Sequence, residues 1–86
     1  MRRILLTLLL SLSCATASAQ EEIQFWHAMG GALGGALEDL VKRFNASQAQ
    51  VRVVPVYKGG YDRTMSEALA AQQAGKGPHV VQVYEL

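Results

Sequence analysis

Residues 51–64 place a strand, a tight turn and the start of a helix in direct succession. Val51 to Tyr57 is rich in β-branched residues and favours a β-strand, and Gly59 and Gly60 follow it as a turn. Pro55 cannot donate an N–H to a neighbouring strand, so this strand is predicted to lie at an edge of its sheet or to leave the sheet at that residue.

The residues before this stretch supply a first strand and a first helix. Glu22 to Ala28 alternates in side-chain character and is rich in β-formers, which favours a strand. A glycine-rich segment, residues 29–35, comes next, and the polar residues 45–50 are expected to end the helix that follows it. Apolar residues recur in that helix at helical spacing and predict one packing stripe: Leu33, Leu37, Leu40, Val41 and Phe44.

The residues after the stretch supply a second helix and a third strand. The helix is predicted from about Asp62 to Ala74, with Met65, Ala68 and Leu69 as its packing face. His79 to Tyr84 is nearly continuously apolar, which is typical of a strand in the middle of a sheet. The order βαβαβ predicts the α/β class and a parallel sheet.

The first 19 residues have the pattern of a cleavable secretory signal peptide. Arg2 and Arg3 precede a short apolar run, and Ala17-Ser18-Ala19 is a small-residue cleavage signature. The apolar run is shorter than the about 18 residues that a membrane-spanning helix needs. Cys14 leaves a lipoprotein as the alternative, although the residues before it do not match the usual lipoprotein pattern.

The remaining domain, residues 20–86, is small and nearly neutral. It has no cysteine, which excludes a disulfide framework, and its six Lys and Arg are interspersed with seven Asp and Glu. This pattern argues against a nucleic-acid partner. Because a chain of about 60–70 residues builds only a marginal core, we expect an N-terminal fragment of a longer protein.

No cofactor or metal site is predicted. The glycine run does not contain Gly-x-Gly-x-x-Gly in any register, so its glycines are expected to let a helix start close to a strand end, where free N–H groups could also face an anion. His27 has no partner ligands at metal spacing and is expected to form a structural pair with Trp26. Both residues are also candidates for a cleft wall, with Trp26 the better one.

Two residues stand out by position as ligand-binding candidates. Tyr61 lies just beyond the carboxyl end of the second strand, and Glu85 just beyond that of the third. Ligands of open α/β sheets bind outside those ends, although both residues could equally be solvated loop residues. No combination of nucleophile, base and orienting residue can be assembled, so we do not expect an enzyme.

Four segments of the chain together resemble the periplasmic sn-glycerol-3-phosphate-binding proteins of ABC importers, which are extracellular solute-binding proteins. The similarity covers the whole chain after the signal peptide, in order and with matching spacings. The segments are residues 25–29 (FWHAM), 42–45 (KRFN), 54–61 (VPVYKGGY) and 82–85 (QVYE).

The resemblance implies that residues 20–86 are an N-terminal fragment of the first lobe of a two-lobed periplasmic protein. Such a protein closes on its ligand and delivers it to the transmembrane subunits of a permease. The resemblance also implies that Tyr61 and Glu85 contact the bound glycerol phosphate, while the serines and the arginine that hold the phosphate lie outside this chain. The chain departs from the family at Gly30 and Ala32, where acidic residues are usual, and in a looser polar tract at residues 46–50.

Three alternatives stay open from the sequence. A sugar- or oligosaccharide-binding protein of the same fold would share the architecture. An exported α/β enzyme would need catalytic residues that this chain does not contain. The chain could also be a truncated product without activity of its own.

Overall fold

The computed structural model describes residues 20–84. The predicted signal peptide with Cys14, and Glu85, therefore lie outside the described residues. No helix in the described part is long and apolar enough to cross a bilayer. The elements follow the predicted order: β1 (Glu21–His27), α1 (Gly31–Ser47), β2 (Val51–Tyr57), α2 (Tyr61–Gln73) and β3 (Val80–Val81).

The three strands form one parallel sheet in the order β2-β1-β3. β1 pairs with β2 along its whole length, from Glu21 opposite Val51 to His27 opposite Tyr57. It pairs with β3 at Phe25 and Trp26. The predicted α/β class and the parallel βαβαβ arrangement are confirmed.

The edge position predicted for β2 from Pro55 is also confirmed. The Lys58 N–H donates to the His27 carbonyl at 2.9 Å. Backbone groups alternate in direction along a strand, so every second residue of β2, counted back from Lys58, directs its N–H toward β1. The alternate residues Val51, Val53 and Pro55 then direct their backbone groups outward. The N–H that Pro55 lacks is therefore missing on the open side of the sheet, where β1 does not need it.

Two side-chain amides from the end of α1 cover this outer edge. Asn45 binds Val53, and Gln48 binds Val51, accepting from its N–H at 2.8 Å and donating to its carbonyl at 2.7 Å. Unpaired edge groups otherwise invite pairing with another chain. The polar tract that was expected only to end α1 thus also shields the sheet.

α1 begins at Gly31, inside the glycine run rather than after it. Gly34 explains why glycine is needed there, since a Cβ at this position would lie 2.5 Å from the carbonyl oxygen of Met29. A side chain would push the first turn of the helix away from the end of β1. This agrees with the expectation that the glycines allow close approach of helix and strand.

The two helices lie on opposite faces of the sheet. Phe25 and Val53 line a groove with α1 residues Leu37 and Val41, whereas Trp26, the neighbour of Phe25, lies under a lysine that is ion-paired to α2. Neighbouring strand residues point to opposite faces, which places α1 and α2 on different sides. The predicted α1 stripe is only partly covered: Val41 is buried and Leu37 half-buried, but Leu33, Leu40 and Phe44 are exposed.

The packing face of α2 agrees with the prediction at Ala68 and differs from it elsewhere. Thr64 and Ala68, one helical turn apart, are the buried pair, with Thr64 completely inaccessible to solvent. The predicted residues Met65 and Leu69 are exposed. Each lies one position further along the chain, which is about 100° around the helix. Hydrophobicity favoured the larger side chains, while close packing against the sheet selected the smaller ones.

β3 is shorter than predicted and does not occupy the middle of the sheet. Only Val80 and Val81 form the strand, although His79 and Gln82 extend its hydrogen bonding to the carbonyls of Gln24 and Trp26. Within residues 20–84, β3 has β1 as its single neighbour, and Val80 is 49% exposed. The central strand is β1, so the prediction for residues 79–84 was wrong in position and length.

Candidate ligand-binding site at the carboxyl edge of the sheet

Tyr61 is the first residue of α2 and stands at the carboxyl edge of the sheet. Gly59 has a φ of 103°, a conformation that favours glycine, and Gly60 is the N-cap. This turn allows the chain to leave β2 and start α2 within three residues. Tyr61 was predicted beyond the strand end and is placed there, 39% exposed, at a helix start rather than in a loop.

The ring of Tyr61 contacts the ring of Tyr84 edge to face. Their centroids are 5.2 Å apart and the ring planes are inclined by 65°. Together with Gly60, Asp62 and Arg63, the two tyrosines line an open groove of about 630 Å³. The groove combines aromatic surface with hydroxyl groups, which suits a small ligand that has both carbon–hydrogen faces and polar groups.

Gln82 connects Tyr61 to the end of β1. Its Oε1 accepts a hydrogen bond from the N–H of Ala28 at 2.9 Å. Its Nε2 lies 3.4 Å from the Tyr61 hydroxyl oxygen. Three elements therefore meet at this groove: the residues after β1, the start of α2 and the residues after β3.

The start of α2 adds an electropositive end to the groove. The N–H of Thr64 is the first to bond within the helix, to the carbonyl of Gly60 at 2.9 Å. The N–H groups of Tyr61, Asp62 and Arg63 precede it and have no acceptor within the helix, and Gly60 provides no side-chain cap. Such a helix end favours a negatively charged group, although the carboxylate of Asp62 opposes a full anion.

Lys58, Arg63 and Glu67 form an ion-paired cluster beside the groove. Arg63 Nε donates to Glu67 Oε1 at 3.1 Å, and Lys58 Nζ lies 3.6 Å from Glu67 Oε2. The hydrogen bond from Arg63, with the positive charges of Arg63 and Lys58, lowers the pKa of Glu67 below its ordinary value. Both cations next to the groove are thus already engaged by one carboxylate.

Trp26, a predicted cleft wall, is half-buried beneath this cluster. The Lys58 ammonium lies 3.9 Å from the centroid of the Trp26 ring, within cation–π range. Trp26 Nε1 is buried and has no hydrogen-bond partner among the described residues. One face of the indole is therefore covered by lysine in this structure.

His27, the other cleft-wall candidate, lies in the interior with 1% of its surface exposed. Its Nδ1 accepts from the N–H of Met29 at 3.2 Å. Its ring packs between Phe25 and Tyr57, with centroids 5.7 Å and 5.9 Å away, rather than pairing with Trp26 as expected. A side chain this buried presents no wall to a ligand. Across residues 20–84, no three side chains of the His, Cys, Asp or Glu type gather as metal ligands would.

The pairing of Tyr61 with Glu85 stays a prediction because Glu85 lies outside the described residues. Sequence reasoning missed three residues that line the groove, Asp62, Arg63 and Tyr84, and it also missed Gln82, which contacts the Tyr61 hydroxyl. Gln82 and Tyr84 belong to the same segment as Glu85 and follow β3 at the same sheet edge. Their position directly after a strand was the sequence signal that could have identified them as candidate site residues.

Comparisons with known proteins give one consistent set of relatives. No protein-family model matches the chain. The chain is 46% identical over 72 residues to the sn-glycerol-3-phosphate-binding periplasmic protein UgpB of Yersinia pestis, a match that covers 84% of this chain and 16% of that protein. Identity to the proteins of the same name is 43% over 76 residues in Pectobacterium atrosepticum and 43% over 72 residues in Escherichia coli.

These matches cover 88% of the chain and 17% of the relative for Pectobacterium, and 84% and 16% for Escherichia. The matched part therefore spans about one sixth of the length of these relatives. The resemblance predicted from the four sequence segments is confirmed.

Proposed function

We propose that this chain, a homologue of the sn-glycerol-3-phosphate-binding periplasmic proteins over 72 of its residues, supplies part of the solute-binding component of an ABC importer. The complete protein would capture sn-glycerol 3-phosphate, or a glycerophosphodiester, in the periplasm and deliver it to the transmembrane subunits of the permease. The observation that carries this proposal is the identity of 43–46% across 84% of the chain.

The residues proposed for the site suit the glyceryl end of such a ligand. Tyr61 offers a ring and a hydroxyl at the groove. A carboxylate such as that of Glu85 accepts hydrogen bonds from neighbouring hydroxyls and repels a phosphate dianion. We therefore assign Glu85 to the glyceryl end of the ligand.

Capture and delivery, rather than catalysis, is the activity proposed. The relatives are named as binding proteins. The groove residues offer aromatic surface, hydroxyl and amide groups, which recognise a solute without needing to transform it. We propose neither a cofactor nor a metal for this site.

A second candidate is a sugar or oligosaccharide ligand. The observation that favours it is the exposed pair Tyr61 and Tyr84, because aromatic rings pack well against the apolar faces of sugars. The two candidates differ in the phosphate, which a neutral sugar lacks.

A segment exchange tests the function in a complete protein. The matched 72 residues of the Escherichia coli relative are replaced by the corresponding residues of this chain, and thermal shifts are recorded with sn-glycerol 3-phosphate, a glycerophosphodiester, inorganic phosphate and maltose. The unmodified relative serves as the control. We expect stabilisation by the glycerol phosphates. Stabilisation by maltose alone would favour the sugar candidate, and a folded chimera that responds to none of the four would contradict both.

A further inference from the structure

The amide of Gln82 has only one orientation that satisfies both of its neighbours. The N–H of Ala28, 2.9 Å away, can only donate, so the amide oxygen of Gln82 must face it. The NH₂ group is then directed at the hydroxyl oxygen of Tyr61, 3.4 Å away. Because an NH₂ group only donates, the Tyr61 oxygen is the acceptor in this contact.

This orientation determines what Tyr61 can offer to a ligand. A phenolic hydroxyl donates one hydrogen bond and accepts others. Once its oxygen accepts from Gln82, its hydrogen is free to point away from Gln82 into the open groove. We propose that Gln82 is a positioning residue that makes Tyr61 a hydrogen-bond donor toward the ligand. This inference rests on the proposed role of Tyr61 as a ligand contact.

The backbone fixes Gln82 firmly enough for this role. Its own N–H donates to the carbonyl of Trp26 at 2.9 Å, which ties the residue to the central strand. Its side chain is tied to the next part of the same strand end through Ala28. Tyr84 contacts the Tyr61 ring edge to face. Gln82 thus contacts the hydroxyl while Tyr84 contacts the ring, and such support is what a preorganised contact requires.

The ligand class that follows is one that presents an oxygen acceptor to Tyr61. A charged acceptor, such as a phosphate oxygen, gains more from a donated hydrogen bond than a neutral hydroxyl does. Glu85 is assigned to the hydroxyl groups of the ligand, and Tyr61 would supply a donor to an acceptor oxygen of the same ligand.

The first test reads the contact without any ligand. In the complete chain labelled with ¹³C-tyrosine, the Cζ resonance of Tyr61 reports hydrogen bonding at its oxygen, and each of the three tyrosines is assigned by a Tyr→Phe variant. Gln82→Glu should reverse the contact, since a carboxylate only accepts, and Gln82→Leu should remove it. We expect different Tyr61 Cζ shifts in the three proteins, with Tyr57 unchanged. Identical Tyr61 shifts would overturn the proposal.

The second test measures coupling to the ligand in the chimera with the Escherichia coli relative. Affinity for sn-glycerol 3-phosphate is measured for Gln82→Glu, Tyr61→Phe and the double variant. The negative charge added by Gln82→Glu repels phosphate whether residue 61 is tyrosine or phenylalanine. Only the additional loss of affinity seen with tyrosine therefore reports the contact between residue 82 and the Tyr61 hydroxyl. We expect Gln82→Glu to cost about tenfold more affinity with Tyr61 present than with Tyr61→Phe. Equal losses in both backgrounds would overturn the positioning role.

The two tests separate this inference from the proposed function. If the chimera folds but does not bind, while the Tyr61 Cζ shift still responds to Gln82, the proposed function fails and the contact stands. If the chimera binds and the losses are additive, the proposed function stands and the positioning role fails.

Discussion

Asn45 binds both backbone polar groups of Val53 on the outer edge of β2. Its Nδ2 donates to the Val53 carbonyl at 2.9 Å, and its Oδ1 accepts from the Val53 N–H at 2.8 Å. One side-chain amide thus takes the place of a neighbouring strand's peptide group. Gln48 does the same at Val51. Pro55 is the third residue of β2 whose backbone faces away from β1, and it has no N–H.

Replacing Asn45 should therefore open this edge. Asn45→Ala removes two hydrogen bonds, and we expect the free energy of unfolding to fall by about 1–2 kcal/mol. We also expect faster hydrogen exchange at the Val53 amide and increased self-association by analytical ultracentrifugation. The matched control is Gln50→Ala, which removes an exposed amide from the same polar tract. Equal exchange at Val53 in both variants would show that Asn45 does not protect the edge.

Adjacent glycines in α1 should respond in opposite directions to the same substitution. A Cβ at Gly34 would meet the Met29 carbonyl oxygen at 2.5 Å, whereas a Cβ at Gly35 would meet nothing within 4 Å. Gly35→Ala should stabilise the chain by up to about 1 kcal/mol, because alanine favours a helix over glycine. Gly34→Ala should destabilise it, since the helix start must move away from β1. Urea denaturation measures both, and stabilisation by Gly34→Ala would contradict the close approach.

The Glu67 cluster should give the chain an acid-sensitive contribution to stability. The hydrogen bond from Arg63, with the charges of Arg63 and Lys58, lowers the folded-state pKa of Glu67 below its ordinary value of 4.5. A carboxyl group whose pKa is lower in the folded chain than in the unfolded chain stabilises the fold. This stabilisation is fully present at pH values above the unfolded-state pKa and is lost as the pH falls through the folded-state pKa.

We expect wild type to exceed Glu67→Gln in thermal stability near neutral pH, with the difference disappearing below the lowered pKa. The difference should be small and should shrink with added salt, since Glu67 is accessible to solvent. Glu38→Gln, an exposed carboxylate on α1, is the control. A difference between wild type and Glu67→Gln that grows on acidification would contradict this sign.

Local patterns were sufficient to predict the order of elements and the place of β2. The β-branched run from Val51 to Tyr57 has the predicted bounds, and Pro55 correctly indicated an edge strand because it lacks a donor. Such properties belong to single segments and need no knowledge of what packs against them.

Properties that depend on neighbouring elements were predicted less well. The apolar run from His79 to Tyr84 suggested a central strand, but β1 takes that position and β3 has exposed valine. Thr64 was not expected in the interior, because a hydroxyl residue becomes compatible with burial only when it finds an acceptor, here the Gly60 carbonyl at 2.9 Å.

The candidate site shows the same difference between local properties and properties that depend on neighbouring elements. Tyr61 was identified by its place after a strand and a glycine turn, and it lies at the groove. The role of Gln82 depends on Ala28 and Tyr61, which are 54 and 21 residues away in sequence. Long-range contacts of this kind are visible only in three dimensions.

The most direct test of whether Tyr61 and Glu85 bind the ligand is calorimetric titration of sn-glycerol 3-phosphate into the chimera. The titration is repeated with the variants Tyr61→Phe, Tyr61→Ala and Glu85→Gln. Binding should be weakened about tenfold or more by Glu85→Gln, which keeps the shape of the side chain but removes its charge. Tyr61→Ala should cost more affinity than Tyr61→Phe, because in the proposed site the ring as well as the hydroxyl contacts the ligand. A folded chimera whose affinity is unchanged by Tyr61→Ala and by Glu85→Gln would contradict the site.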